Sequence, residues 1–254
     1  MPLKKINNII DSFEPISLIE MDTVQLMNRV DTKFVFSKVD LERLLPILIS
    51  DYYILNVEGT RLSKYESLYF DDVEYSSYND HHRRKVNRFK VRYRTYVNSK
   101  LTFLEVKHKF KGRTDKHRIK VDKIPVSMSD SDFNFVKETG VQSKELNPTL
   151  MNNFSRVTLV NKAMNERLTI DLDLTFNNKG KNQSLDKVVI AELKQGKAMR
   201  NSPFYQLMKT NQIRPLKISK YTVGMVMLYN TSHIKYNRFK RKLLKLSKIN
   251  SNAA

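Results

Sequence analysis

The stretch from Arg88 to Lys109, RFKVRYRTYVNSKLTFLEVKHK, decides how the rest of the chain is read. Two strand-like runs around a turn at Asn98-Ser99 read as a β-hairpin. Strand side chains alternate, so Arg88, Lys90, Arg92 and Arg94 share one face while Phe89, Val91 and Tyr93 take the other. On the return, Glu105, Lys107 and Lys109 share one parity and Leu104 and Val106 the opposite one, interrupted by His108. One face is therefore dense in cations, with a carboxylate among them. A solvated antiparallel face also alternates polar with apolar. Like charges at every second position repel, however, and a merely wet face intersperses the two signs. The density points to a face that converges on a polyanion.

The whole chain carries the same bias. Lys and Arg number 46 against 26 Asp and Glu, a formal charge of +20, which calls for an anionic partner: nucleic acid, an acidic membrane surface or phosphate chains. With 40% hydrophobic and 10% aromatic residues over 254 positions, the composition is that of a folded chain with a sizeable core. The absence of cysteine excludes disulfides and thiolate metal sites. Neither the N-terminal MPLKKINNIIDSFEPI nor Val223 to Tyr229 holds an apolar run long enough for a signal peptide or a bilayer span, so the expectation is a soluble, cytoplasmic protein.

Outward from the hairpin, further strands are expected at Lys33–Ser37, Tyr65–Asp71, Arg113–Val121, Phe154–Val160, Arg167–Phe176 and Val188–Lys194. Arg29, Asp31 and Lys33 share a parity. Lys116, Arg118 and Lys120 alternate with His117, Ile119 and Val121. Arg167, Thr169, Asp171 and Asp173 fall on one face, as do Arg156 and Thr158. Helices are expected after Ser37, over Ser129–Glu138, from Ser202-Pro203 to Gln212 and over Tyr221–Tyr229. Asn79–Asn87, with His81 and His82, reads as a polar loop without metal-ligand spacing, and Asn147-Pro148 as a connection or short helix. About eight antiparallel strands suffice to close a barrel whose charged parity faces inward. The fold class is thus α+β: a closed antiparallel β-barrel forming a tunnel, with flanking helices, in one domain over residues 1–254 that ends in a basic helix at about 231–250.

Two strands carry Glu-x-Lys, Glu105-Val106-Lys107 and Glu192-Leu193-Lys194. With Arg29-Val30-Asp31-Thr32-Lys33, Tyr69-Phe70-Asp71, Arg88 through Arg94, Phe103-Leu104-Glu105-Val106-Lys107, Gly112-Arg113-Thr114, Glu166 through Asp171 and Ser219-Lys220-Tyr221, they form an ordered set. In this set the chain resembles the VTC (vacuolar transporter chaperone) catalytic domain, the polyphosphate polymerase branch of the CYTH-like triphosphate tunnel metalloenzymes. The resemblance implies that the γ-phosphoryl group of a nucleoside triphosphate passes to a growing polyphosphate chain, with Mn²⁺ or Mg²⁺ as cofactor.

Carried over by motif, Lys33, Arg92, Arg94, Lys107, Arg156, Arg167 and Lys220 hold phosphates, with Ser219 as a hydrogen-bond donor; Lys90, Lys109 and Lys194 share the inward parity. Arg92, Arg94, Lys107, Glu192 and Lys220 form the catalytic group. Glu192 is the implied metal ligand, and Glu105 a second candidate. The superfamily's Glu-x-Glu-x-Lys strand has Phe103 in its first position here, which argues for a single ion. The implied partners are the nucleotide, polyphosphate and a separately encoded membrane protein, which places the domain at the inner face of a membrane; nucleic acid is not expected. Alternatives are an inorganic triphosphatase and a non-enzymatic polyanion- or nucleic-acid-binding module.

Overall fold

The computed structural model describes residues 2–24, 29–229 and 233–251. In chain order they form α1 (Pro2–Asp11), β1 (Pro15–Ile16), α2 (Leu18–Asp22), β2 (Val30–Ser37), α3 (Lys38–Leu44), β3 (Tyr52–Leu55), β4 (Ser63–Asp71), α4 (Ser76–Arg83), β5 (Arg88–Tyr96), β6 (Leu101–Phe110) and β7 (Arg113–Val121). Then follow α5 (Asp130–Glu138), β8 (Asn147–Asn161), β9 (Glu166–Asn178), β10 (Lys181–Leu185), β11 (Val188–Gln195), α6 (Pro203–Thr210), α7 (Lys220–Leu228) and α8 (Lys240–Ser251). All strands join one sheet, whose main path runs β2-β11-β9-β8-β4-β5-β6-β7, with β1, β3 and β10 as side branches. Every ladder on that path is antiparallel.

The sheet curls, but no ladder joins β2 to β7 among the described residues. The chain leading into α7 runs along the free edge of β2 instead, with the Leu216 N–H donating to the Lys33 carbonyl at 2.7 Å. Closure of the expected barrel therefore falls to this segment and to side chains.

Period-two burial separates the two faces. On the outer face Phe34, Phe36, Ala191, Leu193, Ile170 and Val157 pack against Ile6 and Ile10 of α1, Leu41 and Leu44 of α3, and Phe204 and Met208 of α6. Farther round, Val91, Tyr93, Leu104 and Val106 pack against Val136 of α5. Part of the inside is filled as well: Val35, Ile190, Phe154, Leu174 and Phe176 meet Tyr221, Val223 and Met225 of α7, and Leu246 of α8 closes over them. Val35 and Ile190 stand two residues beyond Lys33 and Glu192, so the inner face changes from charged to apolar where α7 enters. A Cβ at position 224 would lie 2.6 Å from Phe176 Cδ1, which explains the glycine in the middle of α7.

Four local expectations change. The polar run from Asn79 is helical through Arg83, because Asp71 accepts the N–H groups of Ser77 (2.9 Å) and Tyr78 (3.0 Å) at the start of α4. A carboxylate placed there satisfies orphan donors and the helix dipole, which the local sequence does not. Asn147-Pro148 opens β8 rather than forming a separate connection. Asp173, at φ 54°, lies where the β8–β9 register shifts, and it leaves the inner parity to pair with Lys38. The basic C-terminal helix begins at Lys240 rather than near 231; positions 231 and 232 lie outside the described residues.

Candidate functional site

The registers set the charged side chains in facing rows. Lys90 pairs with Lys107 and Arg92 with Glu105 across β5–β6; Lys107 pairs with Lys116 across β6–β7. Arg156 pairs with Asp171 across β8–β9, and Glu192 pairs with both Thr169 and Lys33. The curl brings the two halves together. The Glu192 carboxyl, which burial alone would raise, is held well below its ordinary range by Lys194, Lys33, Lys107 and Arg156, residues of four different strands. Lys90 likewise feels Lys33, and burial with that repulsion pushes its ammonium well below its usual value. The curled sheet forms the expected bore, with Glu192 and Lys107 from its two halves near enough to influence each other's charge.

Within the bore Glu105 and Asp171 are already committed. Glu105 is fully buried and accepts from Arg92 Nε (2.8 Å) and Nη2 (2.6 Å), and Lys116 pairs with its other oxygen. Burial would raise this carboxyl, yet Arg92, Arg94 and Lys116 hold it far below the usual range. Glu105 is thus occupied by two cations rather than presented to a metal. Asp171 receives a bidentate fork from Arg156, at 2.6 and 2.9 Å, and an ion pair from Lys220; these outweigh its burial and keep it ionised. Burial lowers the Lys220 ammonium to about 8, with Asp171 opposing the shift and Arg156 adding to it.

Four other cations have no carboxylate paired to them among the described residues. Arg94 donates to Ser67 Oγ (3.0 Å), Lys90 to Ser219 Oγ (3.0 Å) and Lys194 to Thr169 Oγ1 (3.1 Å). Lys107 forms no hydrogen bond or ion pair among the described residues; Arg92, burial and Arg94 together depress its ammonium well below the ordinary lysine value. Lys33 reaches Glu192 at 3.9 Å and donates to the Ile218 carbonyl at 3.3 Å. Arg167 stands apart: its guanidinium donates to the carbonyls of Met21 and Val24 (2.8 Å for the latter) and lies 3.7 Å from Asp22. An aromatic shelf supports the row, with the Arg94 and Arg156 guanidiniums 5.5 and 5.0 Å from the Tyr65 ring centre and Lys220 4.3 Å from that of Phe154. Phe89 and Tyr93 lie on the opposite face, in or against the outer core, and form no stacking platform beside the cations.

Sequence reasoning left out Lys116, Asp31, Asp171 and Tyr69 as site residues. Tyr69 accepts from Arg92 Nη1 at 3.1 Å and stacks on Tyr221, tying β4, β5 and α7 together. The alternation of Lys116 with His117 was visible, but its place beside Lys107 follows from the β6–β7 register alone. Asp31 lies beside Glu192, and its carboxyl is raised by partial burial and by that neighbouring carboxylate.

The family model of the VTC domain matches residues 28–229. The chain belongs to the VTC domain family. The match takes in every bore residue named above, from Asp31 to Lys220, and stops before α8. It ties the cationic bore to triphosphate chemistry. Among solved structures the VTC chain is similar to an adenylate cyclase candidate from Bacillus halodurans, at 13% identity over 76% of this chain and 96% of that one, with a TM-score of 0.49. It is also similar to an adenylyl cyclase candidate from Hippeastrum described as having a dominant triphosphatase activity, at 14% identity over 80% and 97% of the two chains, with a TM-score of 0.49. No curated protein matches it. Among the described residues of this VTC domain no helix is long and apolar enough to cross a membrane.

Proposed function

We propose that the chain is a polyphosphate polymerase, moving the γ-phosphoryl group of a nucleoside triphosphate, in the first instance ATP, onto the end of a growing polyphosphate. One observation carries the reading: the bore holds Lys90, Arg94, Lys107 and Lys194 with no carboxylate among the described residues paired to any of them, while the buried carboxylates Glu105 and Asp171 are each saturated by two other cations. A surplus of fixed, half-buried positive charge repels itself unless an anion of several charges lies among it. A triphosphate supplies those charges.

Phosphoryl transfer asks the protein mainly for positioning and charge stabilisation. In this reading Lys107, Arg92, Arg94 and Lys220 surround the transferred group, Lys33, Lys90, Lys109, Arg156, Lys194 and Ser219 bind flanking phosphates, and the terminal oxygen of the acceptor chain attacks in line. No protein nucleophile is required. Arg167 joins the phosphate ligands once its head group exchanges the Met21 and Val24 carbonyls for substrate oxygens. Asp171 keeps Lys220 and Arg156 aimed; Glu105 and Lys116 do the same for Arg92.

The site also fits a divalent ion. Glu192 and Asp31 put two carboxylates side by side, and no cluster of three acidic or histidine ligands occurs among the described residues. Those two carboxylates would hold the ion, the number that commonly serves Mg²⁺ in phosphoryl-transfer sites. When bound, it draws charge off the phosphoryl group. The same reading makes the chain a cytoplasmic domain that works beside a separately encoded membrane protein.

The test is acceptor dependence. With ATP and Mn²⁺ or Mg²⁺, a short polyphosphate speeds ADP release by the wild type, and Glu192→Gln suppresses it. ADP release indifferent to the acceptor, with orthophosphate as the product, marks a triphosphatase instead.

A further inference from the structure

The inner face changes character at the end where β5 turns into β6. Beyond Arg94 the strand parity that carries the cations carries rings instead. Phe154, Tyr65 and Tyr96 stand in one row across β8, β4 and β5, and Phe103 of β6 stands opposite Arg94. Phe154 and Tyr65 stack at 5.1 Å, Tyr65 and Tyr96 lie 5.0 Å apart, and Tyr96 meets Phe103 edge-on at 5.9 Å. Four neighbouring strands thus build one aromatic belt. Its Phe154–Tyr65 half is occupied, because Phe154 is buried and the Arg94 and Arg156 guanidiniums lie over Tyr65.

The Tyr96–Phe103 half is not spent on the fold. Both rings are only half-buried, and among the described residues neither joins a hydrophobic core cluster. A ring left partly in water forgoes stabilisation that a planar apolar partner would supply. Arg118 completes the arrangement. It stands opposite Glu105 in the β6–β7 register, yet Glu105 is taken by Arg92 and Lys116, and the Arg118 guanidinium lies over the Phe103 ring instead, 4.8 Å from its centre. Arg118 is exposed and, among the described residues, forms no ion pair. A guanidinium backed by a ring offers a flat cationic surface on which a second π-system stacks.

We propose that Tyr96, Phe103 and Arg118 form a base subsite at this end of the bore, taking the aromatic base of a nucleoside triphosphate while its phosphates run inward past Arg94. The proposal rests on the reading of the bore as a triphosphate site, and it names the residues that distinguish a nucleoside triphosphate from an inorganic one. Stacking of this kind uses the π-face that every base has, so it recognises a base without reading its edge.

The experiment measures the affinity of ATP and of inorganic tripolyphosphate by calorimetric titration, at matched salt and with EDTA to prevent turnover, for the full-length wild type, Phe103→Leu, Arg118→Gln and Phe110→Leu. Phe110 is an exposed ring at the other end of β6 and serves as the control. Phe103→Leu is expected to weaken ATP binding roughly tenfold, the scale of one base–aromatic stack, and to leave tripolyphosphate binding unchanged. Phe110→Leu binds both ligands as the wild type does. Unchanged ATP affinity in Phe103→Leu, an equal ATP loss in Phe110→Leu, or a single-stranded oligoadenylate that binds the wild type more tightly than ATP does overturns the proposal. Should Phe103→Leu lose both ligands together, the exposed Arg118→Gln decides: ATP weakened more than tripolyphosphate sustains the subsite, and both weakened alike overturns it. A wild type that binds neither ligand fails the bore reading and this proposal with it, whereas tripolyphosphate binding beside unchanged ATP binding in Phe103→Leu fails the subsite alone.

Discussion

Replacing Lys107 by Met separates function from stability, because the two should move in opposite directions. The Lys107 ammonium faces Arg92 and Arg94 and, among the described residues, has no ion pair of its own, while Glu192 retains Lys33 and Lys194. Met keeps the apolar stem and removes the charge. A unit charge pair at ~4 Å and an effective dielectric of ~20 is worth roughly 4 kcal/mol. Half of that, allowing for water in the bore, is about 2 kcal/mol, or roughly thirtyfold in the Kd of tripolyphosphate. Relief of like-charge repulsion on the order of 1 kcal/mol should raise Tm by about 2–4 °C in a chain of this size. Calorimetric titration with tripolyphosphate and thermal unfolding of the ligand-free protein give both numbers. A lowered Tm with unchanged tripolyphosphate affinity would refute the assignment of Lys107 as a cation held ready for phosphate.

Further outcomes follow from other parts of the molecule. Lys220 is depressed to about 8 in the fold against an ordinary 10.5, so between those values the unfolded chain binds more protons and this group makes the ligand-free protein more stable as pH rises. Bound tripolyphosphate restores the proton, so binding near pH 8 should take up protons, measurable by calorimetry in buffers of different ionisation heat; proton release would contradict it. Gly224→Ala drives a methyl into Phe176 and Leu150 at a cost of ~1–3 kcal/mol in denaturant unfolding, only partly offset by the ~1 kcal/mol that helix propensity returns. Tyr221→Phe removes the hydroxyl that donates to buried Asp71 and should cost ~1–3 kcal/mol by the same assay. A neutral result for either would mean that α7 is not packed as described.

The charged bore was legible in the sequence because a strand's parity is rigid: once Arg88 to Lys109 forms a hairpin, Lys90, Arg92, Glu105 and Lys107 must share a face. What pairs with what was not. Arg156 and Asp171 sit 15 residues apart and become a bidentate pair through the β8–β9 register alone. The same holds for Lys116 on Glu105, which converts an expected metal ligand into the anchor of Arg92. Helix α4 escaped notice because its stability is tertiary: Asp71 caps it from a neighbouring strand, and Phe239 packs against Tyr78 and His82. Closure failed as a ladder for a related reason, since strand counting does not show that the chain before α7 takes the edge of β2.

The most direct test of the central claim supplies the purified protein with γ-labelled ATP and Mn²⁺ or Mg²⁺ and separates the labelled products by length on a gel. The account expects label in a ladder of phosphate chains that lengthens with time and that Lys107→Met or Glu192→Gln removes. Label confined to orthophosphate, or a ladder that both variants produce at the wild-type rate, would contradict it.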